Sequence, residues 1–178
     1  MPRRVVLLAS SLVLAACGTD RPTAPTALLS APVANTAENM WLLTGSGHTD
    51  LPVSGDMRNF TFHAKRNPDG SASGSYRLAR HDIDVWFTVD VTCMSVVGNT
   101  AWVAGIISDT NAPGLILVGR VSYFFAIDGG EGVGTIDKIS RARINDQAGQ
   151  DAVFCALKPT AIFDPNPLTI VEGNVQLR

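Results

Sequence analysis

The chain has no apolar run long enough to cross a bilayer as a helix, which takes about 20 residues. The apolar stretch from Val5 to Ala16 stops short of that. Charge is scarce at 17% of residues, and there is no basic excess, with 14 Lys and Arg against 16 Asp and Glu. That balance offers no polybasic face, which excludes nucleic acid as a partner and an electrostatic membrane patch. Only three histidines occur, His48, His63 and His81, and none has an HExxH or HxH neighbourhood, so the usual zinc spacing is missing. There is no Gly-x-Ser-x-Gly elbow: Gly70-Ser71-Ala72-Ser73-Gly74 carries alanine where the nucleophile would stand. No GxxxxGK[ST] arrangement occurs either. These gaps leave no residue to assign to catalysis, to a cofactor or to a metal.

What is present begins at the N-terminus. Arg3 and Arg4 precede Val5-Val6-Leu7-Leu8-Ala9-Ser10-Ser11-Leu12-Val13, and Leu14-Ala15-Ala16-Cys17 follows. A basic start, a short apolar core and small residues before a cut site make an export signal. Leu14 to Cys17 resembles the lipobox of bacterial lipoproteins. The resemblance implies that residues 1–16 are removed and that the Cys17 sulfur carries diacylglycerol, anchoring the chain to a membrane of the cell envelope. Gly18 stands where inner-membrane lipoproteins often have aspartate, which favours the outer membrane in a diderm organism. The alternative is an ordinary secretory signal with a chance cysteine. Removing Arg3 and Arg4 from the 14 basic residues leaves 12 against 16 acidic ones, a net −4.

Residues 17–39 are rich in Pro, Thr, Ala and Ser without helix or strand periodicity, the composition of a disordered tether. Residues 40–178 remain as one domain of about 140 residues, with order starting near Trp41. With Cys17 assigned to lipid, Cys93 and Cys155 are left. In an oxidising compartment two such cysteines most simply form a disulfide; two free buried thiols are the alternative.

The domain reads as strands and turns. In Phe60-Thr61-Phe62-His63-Ala64-Lys65 apolar and polar residues alternate, the period of a half-buried strand. Asn67-Pro68-Asp69-Gly70 makes a three-residue hairpin loop closed by a bulge, with glycine at the left-handed position. That turn pairs Phe62 with Tyr76, Phe60 with Leu78 and Ala64 with Gly74. The apolar members share one face, with Thr61, His63, Lys65, Ser75 and Arg77 on the other. A second hairpin turns at Gly98-Asn99, pairing Cys93 with Ala104, Val91 with Ile106 and Ser95 with Trp102. The strand before it runs from Ile83 to Val91 with odd positions inward, and Cys93 continues that side. Trp102, Ala104 and Ile106 then face inward, while Met94, Val96, Val103 and Ile107 form an apolar outer face, with Ala101 beside them. The segment 145–167 or another protein should cover it.

Beyond a turn at Asp109–Gly114, a long strand is expected from Leu115 to Asp128, with Leu117, Val121, Tyr123, Phe125 and Ile127 on one side. Ile136 to Ile144 reads as a strand. Residues 145–167 form a long connection with a short helix between Asn145 and Lys158. Leu168 to Leu177 is a last strand, bulged at Glu172-Gly173. About eight antiparallel strands in a meander predict an all-β barrel, with a two-layer sandwich as the alternative.

The glycine-rich loop Gly129 to Gly134 resembles phosphate-binding loops in composition, but the segment after it reads as strand instead of helix. Asp128, Glu131 and Asp137 offer oxygen ligands for calcium without the EF-hand pattern; solvated turn residues are the simpler reading. Asp82 and Asp84 share a strand face, where paired acids usually serve solubility. The body also resembles predicted exported β-rich bacterial proteins of no assigned function. The likeness lies in Gly45-Ser46-Gly47-His48, Asp69-Gly70-Ser71, Asp90-Val91-Thr92-Cys93, Val97-Gly98-Asn99-Thr100-Ala101-Trp102 and Glu172-Gly173-Asn174-Val175. It implies a β-rich exported domain and no catalytic residue. The leading expectation is a membrane-tethered, non-catalytic binding or interaction module. A carrier of a small apolar ligand in a lipocalin-like barrel is the second reading, and an enzyme the third. An empty interior of several hundred Å³ separates the carrier from the rest.

Overall fold

A computed structural model describes residues 39–50, 57–132, 134–163 and 167–178. The expected signal segment and nearly all of the expected tether, Cys17 included, lie outside the described residues. The turn that follows Arg66 organises the first part of the sheet. The Asn67 N–H donates to the Ser71 carbonyl at 2.8 Å, and the Gly70 N–H to the Asn67 carbonyl at 3.0 Å. Gly70 sits at φ 85°, a conformation that costs glycine nothing. Asp69 accepts from the Ser71 N–H at 2.9 Å and from its hydroxyl. These bonds hold the exposed Asp69 carboxyl below the usual carboxylate range.

That turn joins β2 (Met57–Arg66) to β3 (Ala72–Arg80). The observed partners are Phe60 with Leu78, Phe62 with Tyr76 and Ala64 with Gly74, as the turn and the alternation predict. β1 (Trp41–Asp50) pairs with β2. β3 continues into β4 (Val85–Val97), β5 (Thr100–Thr110) and β6 (Val121–Ile127), each antiparallel to the last. β7 (Lys138–Ile139) and β8 (Arg143–Asn145) both pair along the far side of β6. The single strand expected over 136–144 is broken at Ser140, whose hydroxyl accepts the Phe125 N–H at 2.9 Å.

β9 (Leu168–Thr169) pairs with β7, whereas β10 (Glu172–Leu177) pairs with β1. The two ends of the sheet, in the order β10-β1-β2-β3-β4-β5-β6-β7-β9, are therefore consecutive in the chain. The sheet must curl on itself, and the fold is an all-β, barrel-like meander. The expected long final strand is split so that its halves serve opposite edges.

Two carboxylates stitch the seam. Asp137 accepts the Gly129 N–H at 2.8 Å and the Val175 N–H of β10 at 2.7 Å. Asp128 accepts the Gly130 N–H at 2.7 Å and the Leu177 N–H at 2.8 Å. A strand edge is thus satisfied by side chains where no strand is available.

The interior is filled at one end by aromatics. Phe60 and Phe62 stack at 5.4 Å, and Phe124 meets Phe62 at 5.4 Å and the edge of Tyr76 at 4.9 Å. Gly45 of β1 lets the Phe62 ring lie against the strand; a Cβ there would stand 2.5 Å from the ring. Burial pushes the Tyr76 phenol well up, the nearby Ser122 hydroxyl offsetting part of the effect.

The second hairpin corrects the sequence reading. Cys93 pairs with Ala104 and Ser95 with Trp102, as expected, but Val91 faces Gly105, because Thr92 is an extra residue in β4. A bulge of this kind reverses which face the following residues take. Val89 and Val91 point into the barrel, and so do Met94, Val103 and Ile107, while Cys93, Trp102 and Ala104 point out. The outward residues are covered by the chain's own later segment, through Phe154, Cys155 and Phe163. There α1 (Gln150–Leu157) places Phe154 4.6 Å from Tyr123, and Phe163 stands edge-on to Phe125 at 5.1 Å. The Trp102 indole donates to the Pro159 carbonyl at 3.2 Å. Thr92, the bulged residue, hydrogen-bonds Asp151 in the first turn of α1.

The strand expected to start at Leu115 starts at Val121 instead. Residues 112–116 make a tight turn, the Leu115 and Ile116 N–H groups both donating to Ala112 O at 2.9 and 2.8 Å. Leu115 and Leu117 are exposed, and only Ile116 turns into the core.

Candidate ligand-binding site at the barrel mouth

The aromatic filling stops short of the end where β1, β3 and β5 finish. Ile83 belongs to the exposed turn between β3 and β4, not to a strand. The Asn111 side chain locks this turn to the connection after β5. It accepts the Trp86 N–H at 2.7 Å and donates to the Asp84 carbonyl at 2.8 Å. Thr110 adds a hydroxyl bond to the Trp86 carbonyl at 2.9 Å. The β3–β4 turn and the connection after β5 are therefore fixed to each other.

Inside it lies a cavity of about 400 Å³. Phe60, Phe87 and Ile139 are buried residues of its wall, and Leu78, Val85 and Ala142 continue the apolar lining. Ile116 reaches in from the β5–β6 connection, while Ile83, Leu115 and Ile144 are exposed at the rim. Three arginines also line it, Arg58, Arg80 and Arg141. Arg58 shares the inward face of β2 with Phe60, and its direct cross-strand partner is Arg80 of β3. The Arg80 Nε donates to Asp82 at 3.1 Å. The volume falls within the range of about 300–1,000 Å³ typical of small-molecule sites.

The residues singled out in sequence fall elsewhere. Cys17 lies outside the described residues. The Cys93 and Cys155 sulfurs stand at disulfide distance, 1.90 Å, joining β4 to α1. Asp82 and Asp84 sit in the β3–β4 turn without forming an acid pair, since Asp82 faces Arg80. His48 approaches Glu172 at 3.7 Å, while His63 and His81 are exposed on other elements. Among the described residues no three His, Cys, Asp or Glu side chains gather as metal ligands. Asp128 and Asp137, weighed above as calcium ligands or solvated turn residues, have their oxygens committed to the seam. The glycine loop is a connection between β6 and β7 with no helix behind it.

The mouth arginines were missed in sequence, yet two carried a signal. Extending the first hairpin's register by one pair on the apolar face sets Arg58 opposite Arg80, a charge where apolar residues are due. Compared with protein-family models, curated proteins and solved structures, the chain matches none. No helix among the described residues is long and apolar enough to cross a membrane.

Proposed function

We propose that the protein is a non-catalytic binding module, lipid-tethered through Cys17, that holds a small, mainly apolar ligand in the barrel mouth. The observation that carries this reading is the mouth cavity of about 400 Å³ with its apolar wall. A filled barrel would have favoured the pure interaction module. A hollow end favours the carrier, because a preformed cavity spares the ligand the cost of ordering its site. β1 runs from Trp41 toward the mouth, where Thr49 lies in the cavity wall.

Titration with the neutral fluorophore N-phenyl-1-naphthylamine tests the site. Saturable binding at one probe per chain is expected, with at least about a tenfold loss in Ala142→Trp, whose indole would fill the cavity. The variant should melt close to the parent. Absence of saturable binding to the parent protein would remove the reading.

The tether has its own test. Cys17→Ser should abolish incorporation of a clickable fatty acid and leave the precursor uncleaved by the lipoprotein peptidase. Equal labelling of parent and variant would end the lipoprotein assignment.

A further inference from the structure

We infer that the mouth docks on the hydrocarbon of a neutral bilayer, with the β5–β6 connection inserted, so that the cavity opens toward acyl chains. This rests on the reading of the mouth as a ligand entrance and names the surface that it faces. Large apolar side chains crowd the opening. Leu115, Leu117 and Val118 are 63%, 44% and 59% exposed. Leu115 lies in the cavity wall together with the exposed Ile83 and Ile144. Single exposed apolar residues are ordinary, but several around one opening mark a contact surface. From Thr110 to Gly119 the chain carries no charged residue. Arg120, at the end of that stretch, is paired with Asp146 at 2.9 Å.

The chemistry of the connection favours lipid over a protein partner. Backbone groups that enter hydrocarbon must be satisfied within the chain. Here the Leu115 and Ile116 N–H groups donate to the Ala112 carbonyl, Gly119 to the Ile107 carbonyl at 2.8 Å and Arg120 to the Leu117 carbonyl at 3.4 Å. The Ala112 N–H donates to the Thr110 hydroxyl at 3.1 Å. Protein interfaces are anchored mainly by aromatic, Met and Arg side chains, whereas residues 115–118 are Leu-Ile-Leu-Val. Across the opening, Ile83 stands between Asp82 and Asp84. Charges are costly in hydrocarbon, so that turn stays at headgroup level and the β5–β6 connection goes deeper. The reach is sufficient. The 22 residues from Gly18 to Asn39 span at most about 75 Å when extended, and the ten residues of β1 span about 33 Å. A chain anchored through Cys17 can therefore set its mouth on the bilayer that holds the anchor.

A nitrobenzoxadiazole label at Val118→Cys tests this, in the full chain with Cys17→Ser and with phosphatidylcholine vesicles added. The N-terminal apolar segment can hold such a chain on a vesicle by itself, so the readout is local to the connection. The label should shift to the blue and be quenched by brominated acyl chains, at low and high salt alike, because apolar insertion is not screened. A label at Ser73→Cys, exposed on β3 at the filled end, should stay as in water. Leu117→Asp should lower the ratio of quenched to unquenched Val118 label by about tenfold or more, with the melting temperature unchanged. A Val118 label that vesicles leave unquenched would overturn the inference. So would quenching confined to phosphatidylglycerol vesicles and removed by salt, the mark of electrostatic adsorption. Equal quenching at Ser73 would overturn it too, as would a blue shift without lipid that grows with protein concentration, the mark of a second copy. The ligand reading stands or falls separately. A label left in water beside a cavity that binds N-phenyl-1-naphthylamine would remove the docking alone, and an inserted label beside a cavity that takes no probe would sustain the docking and remove the carrier.

Discussion

Val103→Asp should cost the domain about 4 kcal/mol or more, a large part of its total stability. Val103 is fully buried. It faces the barrel interior between its partners Met94 on β4 and Phe124 on β6. A carboxylate there would meet only apolar groups, and a buried charge without a partner is among the largest single penalties a fold can carry. Typical domains hold only about 5–15 kcal/mol in total. Thr61→Asp, on the outer face of β2 beside exposed His63, is the control and should change stability by no more than about 0.5 kcal/mol. Urea melts of the two variants against the parent measure both. A Val103→Asp protein that melts with the parent would place this side chain outside the core and undo the bulge at Thr92.

That bulge marks where the sequence stops being legible. The first hairpin could be read because two independent signals agreed. Pro68-Asp69-Gly70 specifies the turn, and the alternation from Phe60 to Lys65 specifies the face. In the second hairpin the turn at Gly98 was equally clear, and the pairs nearest it are right. Beyond them, Val91-Thr92-Cys93-Met94 reads as smooth alternation, and nothing in those residue types announces an extra one. β5 could not arbitrate, since Trp102 and Val103 are both large and apolar. Both of its faces are buried, one against the barrel core and one against α1. Of the two covers the sequence left open, the chain's own later segment packs on this sheet, but over Trp102 and Ala104 and not over Met94, Val103 and Ile107.

The connection at 111–120 failed for a different reason. Leu115-Ile116-Leu117-Val118 has strand composition, yet the chain turns there through hydrogen bonds to the Ala112 carbonyl, and local propensity yields to tertiary context. The cavity is a property of closure. No stretch of sequence shows that the aromatic filling ends at Phe60, because the empty space lies between strands distant in the chain. Arg58 and Arg80 were within reach of the hairpin register. Arg141 was not, because the break at Ser140 upsets the alternation that would have placed it.

Reduction of the disulfide, or Cys155→Ser, should remove about 4 kcal/mol of stability. The linkage closes a loop of 62 residues, and the chain-entropy account gives that magnitude for a loop of this size. α1 has eight residues, too few to persist as a helix without its contacts. What then holds it is Phe154 and Phe163 against Tyr123 and Phe125, together with the Trp102 bond to Pro159. Non-reduced peptide mapping should first find Cys93 and Cys155 in one linked peptide. Thermal melts with and without reductant should then differ by many degrees, since about 1 kcal/mol moves the midpoint by roughly 2–8 °C for domains of about 60–250 residues. The cavity wall is drawn from the barrel core and the mouth loops, and no residue of α1 lines it. Reduced protein kept below its lowered midpoint should therefore bind N-phenyl-1-naphthylamine as tightly as oxidised protein. Coincident melts would show that the cross-link contributes nothing to the fold. A parallel loss of probe binding well below the midpoint would mean that α1 supports the mouth through the sheet, and that the two ends of the barrel are mechanically coupled.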